Sequence, residues 1–443
     1  MLRTGLQTAF LALVLLLVFV PTEVVAVPNE STMFEKAKTP EEAGFTKTGL
    51  AKVDQLIEND IENGFPGASL IIIKDGKIVK ESRYGYRQVY DGLEKLKHPK
   101  KLKKETLYDL ASNTKMYATN FALQHLVSTG QIALTDKVSD YIPEFKDKTN
   151  ADIKGKDTIL IQDLLQHQAG FPASIEFHDP SAAGVFYSQN RDRTIEYLPQ
   201  VPLEYEPRTN HLYSDIDYML LGVIVERVTG KQLDAFVEET FYQPLQLKNT
   251  MFKPLDKGVK KKDIAATERL GNTRDGYISF PHIRQETIIG EVHDEKSYYA
   301  MEGIAGHAGL FSTTTDMAVL LQVMLNGGDY GTHHFFDEAV IDQFTAASST
   351  NDTYGLGWRR NGSGGTMEWM FGSLASEAAY GHTGWTGTVT IIDPAYDLGI
   401  VLLTNKKHTP VVNPEQNSNL FAGDEYATGD YGPVVQAIYE AMK

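Results

Sequence analysis

The chain has 443 residues, 42% of them apolar and 23% charged, with 37 Gly and 18 Pro. This composition fits an ordinary globular protein and excludes fibrous, collagen-like or largely disordered chains. Asp and Glu number 58 against 42 Lys and Arg, a formal charge of −16 that argues against a phosphate-backbone binder, so no nucleic-acid partner is expected. The absence of Cys rules out disulfides, thiolate metal sites and a cysteine nucleophile.

Arg3 precedes an apolar run from Ala9 to Val20 that Pro21 ends, and Val24-Val25-Ala26 offers short residues for a cleavage site. The pattern predicts an export signal over residues 1–26. The run is shorter than the roughly 20 residues that span a bilayer. Val24, Val25 and Val27 extend it, so an uncleaved membrane anchor over residues 9–26 stays open. Either way the rest of the chain crosses a membrane.

Leu50, Val53, Leu56, Ile57 and Ile61 recur at helical spacing from Lys47 to Asn63. Ala68–Ile73 and Lys77–Val79 flank Asp75-Gly76, which predicts a hairpin with a tight primed turn. The basic stretch around Pro99, with Lys95, Lys97, Lys100, Lys101, Lys103 and Lys104, reads as a solvated loop or as a patch for an anionic surface. Helical patterns follow over Ser112–Thr129, Ile161–Gln166, Asp215–Thr229, Leu233–Tyr242 and Asp316–Leu325. Thr388–Ile392 and Leu398–Thr404 form a second hairpin, and Pro433–Met442 a last amphipathic helix. Hairpins at both ends and helices between predict an α+β fold. An antiparallel sheet is built from residues 27–111 and 350–443 with terminal helices covering it, and residues 112–349 form an inserted, mainly helical lobe.

Ser112-Asn113-Thr114-Lys115 is the only S-x-x-K in the chain and opens a predicted helix. Positions i and i+3 share a helix face, so the Lys115 amine reaches the Ser112 hydroxyl. A serine needs a neighbouring base to attack, and a lysine serves only if burial lowers its pKa. The helix start adds free N–H groups where an oxyanion would form. Tyr213-Ser214-Asp215 opens another helix and offers a phenol for proton transfer, while His382-Thr383-Gly384 enters the strand Thr388–Ile392. Gly there allows close approach of a substrate to the strand. The second H-x-G, His307-Ala308-Gly309, reads as structural. His293, Asp294, Glu295 and His307 lack the spacing of a metal motif, so neither a metal nor a cofactor is expected.

S-x-x-K, Y-x-[ND] and [KH]-T-G in this order resemble the serine penicillin-recognising enzymes. The resemblance is closest to the branch with class C β-lactamases and D-alanyl-D-alanine carboxypeptidases, of peptidase S12 type, and within it to the type-4B penicillin-binding proteins. It extends through Leu164–Pro172, Tyr218–Gly222, Gly306–Ser312, Tyr354–Trp358 and Gly381–Thr388. It implies a three-layer α/β/α fold and two-step acyl transfer through an acyl-serine. Ser112 would be the nucleophile, Lys115 its proton acceptor and Tyr213 a general base or acid. Asp215, His382, Thr383, Gly384 and Trp385 would bind substrate, with the backbone amides of Ser112 and Trp385 as oxyanion hole. Peptidoglycan stem peptides and β-lactams are the implied ligands, and the periplasm or inner membrane the implied location.

Two positions depart from the commoner pattern. Asp215 stands where Asn is usual and would hold Lys115 charged, which shifts the base role toward Tyr213. His382 replaces a charged lysine and is a weaker anchor for a carboxylate. The leading expectation is an exported serine D-alanyl-D-alanine carboxypeptidase. A serine esterase or weak β-lactamase of the same fold, and a non-catalytic module that binds penicillin or cell wall, are the alternatives.

Overall fold

The computed structural model describes residues 34–443, so the expectation for residues 1–26 lies outside them. Asp75 (φ +52°) and Gly76 (φ +69°) both adopt the left-handed region, which is what a primed two-residue turn needs. They join the strands Gly67–Lys74 and Lys77–Asp91 in antiparallel register. The C-terminal hairpin pairs Thr388–Asp393 with Leu398–Thr404. Leu70 faces Leu402 and Ile72 faces Ile400 where the two ends of the chain meet.

The resulting eight-stranded sheet runs Glu35–Lys36, Lys77–Asp91, Gly67–Lys74, Leu398–Thr404, Thr388–Asp393, Tyr380–Gly384, Arg359–Arg360, with Glu94–Lys101 paired to Lys77–Asp91. Only the short strand Glu35–Lys36 is parallel to its neighbour. The basic stretch expected as a loop is this outer strand Glu94–Lys101. Its lysines and Pro99 hide the strand pattern, yet both suit an edge, where one row of backbone groups stays unpaired.

On one face Val53 and Ile57 of the helix Lys47–Glu62, and Val434, Val435 and Ile438 of the helix Gly432–Glu440, pack against Leu70, Ile72, Ile391, Ile400 and Leu402. Each such side chain contributes roughly 1.5–3 kcal/mol by leaving water. The helix Thr314–Leu325 covers the other face, where Leu321 presses on Gly399. The helix Asp215–Thr229 is buried from Ile216 to Val225; the Ser214 hydroxyl caps its start and Gly230 (φ +69°) ends it.

Gly222 and Gly306 let this helix press on the loop before His307, since a methyl group at 306 would lie 2.0 Å from the Tyr218 carbonyl oxygen. The helix expected from Ser112 is less regular. A turn at Ser112 leads into a π-helical stretch, Lys115–Asn120, and then the α-helix Phe121–Ser128. Such π segments recur at functional sites.

Candidate active site

The segment before Ser112 is pinned on every side. Ala111 is held at φ +45°, a strained value for a residue with a side chain. Its amide donates to Asp109 Oδ1 at 2.9 Å, and Asp109 Oδ2 accepts from the His293 amide at 2.6 Å. Asn113 joins this segment to the sheet: its Nδ2 donates to Thr388 Oγ1 (2.9 Å) and its Oδ1 accepts from Thr390 Oγ1 (3.0 Å). The Thr388 hydroxyl in turn donates to the Leu110 carbonyl at 3.0 Å.

Gly384 has a structural task beside the substrate contact expected of it. A Cβ there would lie 2.3 Å from both the Leu110 carbonyl oxygen and Thr388 Oγ1. The missing side chain lets the H-T-G strand lie against the nucleophile segment.

Lys115 Nζ lies 3.1 Å from Ser112 Oγ, 2.8 Å from Asp215 Oδ1 and 3.3 Å from the His307 carbonyl oxygen. It also stands 4.8 Å from the centroid of the Tyr213 ring. Burial disfavours its charged form, but the Asp215 carboxylate and Tyr213 outweigh burial and hold the amine above its usual range. Burial would likewise push the Asp215 carboxyl up; the Lys115 and Lys296 ammoniums reverse this and hold it well below the carboxylate range. The S-x-x-K lysine is therefore an ammonium beside the serine.

Tyr213 is enclosed by cations and imidazoles. The Arg359 guanidinium lies 5.2 Å from its ring centroid, with the His167 ring at 4.5 Å and the His382 ring at 6.0 Å. His382 is 2% exposed, and its Nδ1 lies 2.7 Å from the Thr383 carbonyl oxygen. Burial, then the Arg359 and Lys115 charges, push its pKa down to about 3, so the imidazole is neutral. Of the H-T-G-W run, Trp385 lines the cavity that holds Ser112, Tyr213 and Asp215, a space of about 520 Å3.

Sequence reasoning missed Lys296, which stands 3.4 Å from Asp215 Oδ2 and 3.2 Å from Asp294 Oδ2. It missed Arg274 as well, which is bonded to Glu268 and, at 2.7 Å, to Glu295 Oε1. The clustered charges of His293-Asp294-Glu295-Lys296 were the available signal. Asp215, Asp294 and His307 each bring a possible ligand atom within 4.8 Å of the others, but the Lys296 ammonium supplies the positive charge those carboxylates face. His307, expected to be structural, gives Lys115 its carbonyl and places Nε2 2.9 Å from Asp294 Oδ1.

With the serine and tyrosine at one cavity and the lysine buried behind the serine, the family comparison decides the rest: residues 53–424 match the family described as Beta-lactamase. The chain belongs to the β-lactamase family. This β-lactamase-family protein is 58% identical over 441 residues, all of both chains, to a Bacillus subtilis (strain 168) protein named "N-acetylmuramyl-L-alanine amidase". It is 51% identical over 405 residues to an Escherichia coli (strain K12) protein named "Putative D-alanyl-D-alanine carboxypeptidase", across 91% of this chain and 93% of that one. Among solved structures, a penicillin-binding protein homologue from Caulobacter crescentus shares the fold, with a TM-score of 0.61 and 20% identity over 90% of this chain and 99% of that one. The hydrolase EstCE1 does so with a TM-score of 0.63 and 19% identity, over 88% and 99%.

Proposed function

We propose that this protein is a serine acyl hydrolase that cleaves the amide between N-acetylmuramic acid and the L-alanine of a peptidoglycan stem peptide. The observation that carries this reading is His382. Buried, neutral and turned back on its own strand, it offers no charge to the free carboxylate that a D-alanyl-D-alanine carboxypeptidase must hold. The two cations that line the cavity are taken, Lys296 by Asp215 and Asp294, and Arg274 by Glu268 and Glu295. A muramyl–L-alanine amide asks for no such anchor, because its leaving group is a peptide amine and its scissile carbonyl belongs to the lactyl ether. The name of the Bacillus relative supports the same bond.

In this reading Ser112 Oγ attacks the carbonyl and Tyr213 accepts its proton, with the Lys115 and Arg359 cations beside its ring. Lys115 donates to Oγ as it becomes an alkoxide, in place of the base role first expected of it. The backbone amides of Ser112 and Trp385 receive the oxyanion. Tyr213 returns the proton to the leaving nitrogen, and water then hydrolyses the acyl-serine. A β-lactam would acylate the same Ser112.

The carboxypeptidase reading, the leading expectation from the motifs, draws its support from the name of the Escherichia coli relative. Mass spectrometry after incubation with N-acetylmuramyl-L-alanyl-D-isoglutamine and with an acyl-D-alanyl-D-alanine peptide separates the two. Release of N-acetylmuramic acid without D-alanine is expected. D-alanine release from an otherwise stable muramyl peptide would hand the site to the carboxypeptidase reading. Turnover of p-nitrophenyl esters alone would favour the esterase, and a stable penicillin adduct on Ser112 without any turnover the binding module. We also propose that the protein works outside the cytoplasmic membrane, on the strength of the Ala9–Val20 run. The first residue of the mature protein tests this, with Val27 expected if the segment is removed. Among the described residues no helix is long and apolar enough to cross a membrane.

A further inference from the structure

Trp385 is 40% exposed at the cavity that holds Ser112. Its position is fixed by its neighbours. The Thr386 hydroxyl donates to the Asp109 carbonyl at 2.6 Å, and the Gly387 amide donates to the Gly384 carbonyl at 2.9 Å. Lys407 Nζ lies 4.0 Å from a Trp385 ring centroid. Lys407 is buried and tethered to the Asp424 carboxylate at 2.7 and 3.0 Å, so the cation against the indole is itself immobile. Asn419 lines the same cavity; its Oδ1 accepts from Arg274 Nε at 3.1 Å, which leaves its amide N–H2 group to donate.

A half-open indole and a free amide donor lining one cavity have a chemical complement. A pyranose presents an apolar face of C–H bonds with partial positive charge, which suits the electron-rich face of an aromatic ring. An N-acetylated sugar adds a carbonyl acceptor at its rim, of the kind that a few placed polar groups read in a mostly apolar site. We propose that Trp385 is a stacking platform for the N-acetylated sugar ring of the substrate, with Asn419 donating to its acetamido carbonyl. This rests on the amidase reading above and adds a sugar subsite to it. The geometry is economical: in the substrate the sugar joins the scissile carbonyl through the lactyl ether. In the protein the indole and the amide offered to that carbonyl belong to one residue.

The test uses the full chain carrying Ser112→Ala, which binds substrate without consuming it. Calorimetry compares N-acetylmuramyl-L-alanyl-D-isoglutamine with D-lactyl-L-alanyl-D-isoglutamine, the same amide without the sugar. The sugar-bearing ligand is expected to bind at least tenfold more tightly. Trp385→Leu in the same background is expected to erase that preference, and Trp385→Phe to retain most of it. Equal binding of the two ligands, no binding of either, or a preference that survives Trp385→Leu would overturn the platform. The Ser112 enzyme keeps the two ideas apart. Cleavage of both amides with equal kcat/KM would leave the amidase reading standing and remove the platform. Cleavage of neither would remove the amidase reading, and the binding comparison would still decide the platform.

Discussion

Asp215 gives one carboxylate oxygen to Lys115 at 2.8 Å and the other to Lys296 at 3.4 Å. One carboxylate thus serves two buried ammoniums, which accounts for an acid where the related motif carries an amide. An asparagine at this position would neutralise neither cation. Asp215→Asn is expected to destabilise the protein by about 3–5 kcal/mol, the usual range for breaking a buried pair. Lys296→Met in the Asp215→Asn background is expected to recover part of that loss. A double-mutant cycle by urea unfolding measures it, with a coupling of at least about 1 kcal/mol expected.

Ser112→Ala tests the nucleophile. The substitution removes one hydroxyl at the start of a helical segment, so the stability change is expected to stay near 1 kcal/mol. Labelled penicillin followed by intact-mass measurement is expected to show an adduct on the parent protein and none on the variant. A variant that unfolds at room temperature would make Ser112 a structural residue.

Acid is expected to weaken the fold through its buried histidines. Burial pushes the pKa of His382 down to about 3 and that of His408 down to about 4, from an ordinary 6.5. Both stay neutral in the folded chain while the unfolded chain takes up protons below pH 6.5. Their stabilisation is complete above that pH and is lost as the pH falls toward 4 and then 3. At pH 5 the loss is about 2 kcal/mol for each. Urea midpoints at pH 7 and pH 5 measure the slope, and His382→Gln is expected to flatten it.

His167 and Asp217 form a buried pair behind Tyr213, with 2.9 Å between Nδ1 and Oδ2. Burial, reinforced by the nearby Asp215, holds the Asp217 carboxyl well above its usual range, while burial and Lys115 hold His167 well below its own. Two neutral partners can be imitated by an amide. Asp217→Asn is expected to leave stability within about 1 kcal/mol, whereas Asp217→Ala leaves His167 Nδ1 only the longer bond from the Ser214 amide (3.2 Å) and is expected to cost about 1–3 kcal/mol. Equal losses in the two variants, read by chemical unfolding, would mean that Asp217 is ionised.

Much of this architecture is legible in local chemistry. Asp75-Gly76 announces its hairpin because few other dipeptides accept two left-handed residues, and Asp215–Thr229 announces its helix through a serine cap and a glycine stop. Ser112 and Lys115 are legible because their relation is one helical turn. Lys296 is not, because its partner Asp215 lies far along the chain and an ion pair leaves no period in the sequence. The burial of His382 was equally hidden. A histidine in a strand carries no mark of whether it faces solvent, and here Tyr213 and Arg359 from other segments close over it. The edge strand Glu94–Lys101 escaped because the charge that protects an edge also disguises it.

The register of Gly67–Lys74 against Leu398–Thr404 has a consequence for how the protein is made. The partner of the apolar run Leu70-Ile71-Ile72-Ile73 leaves the ribosome more than 300 residues later. Until then the growing chain carries a hairpin strand with one open, adhesive edge, a condition that slows folding and invites aggregation. Loss of even the final forty-five residues would leave one edge of that strand permanently unpaired, so truncated products are expected to be insoluble rather than merely inactive.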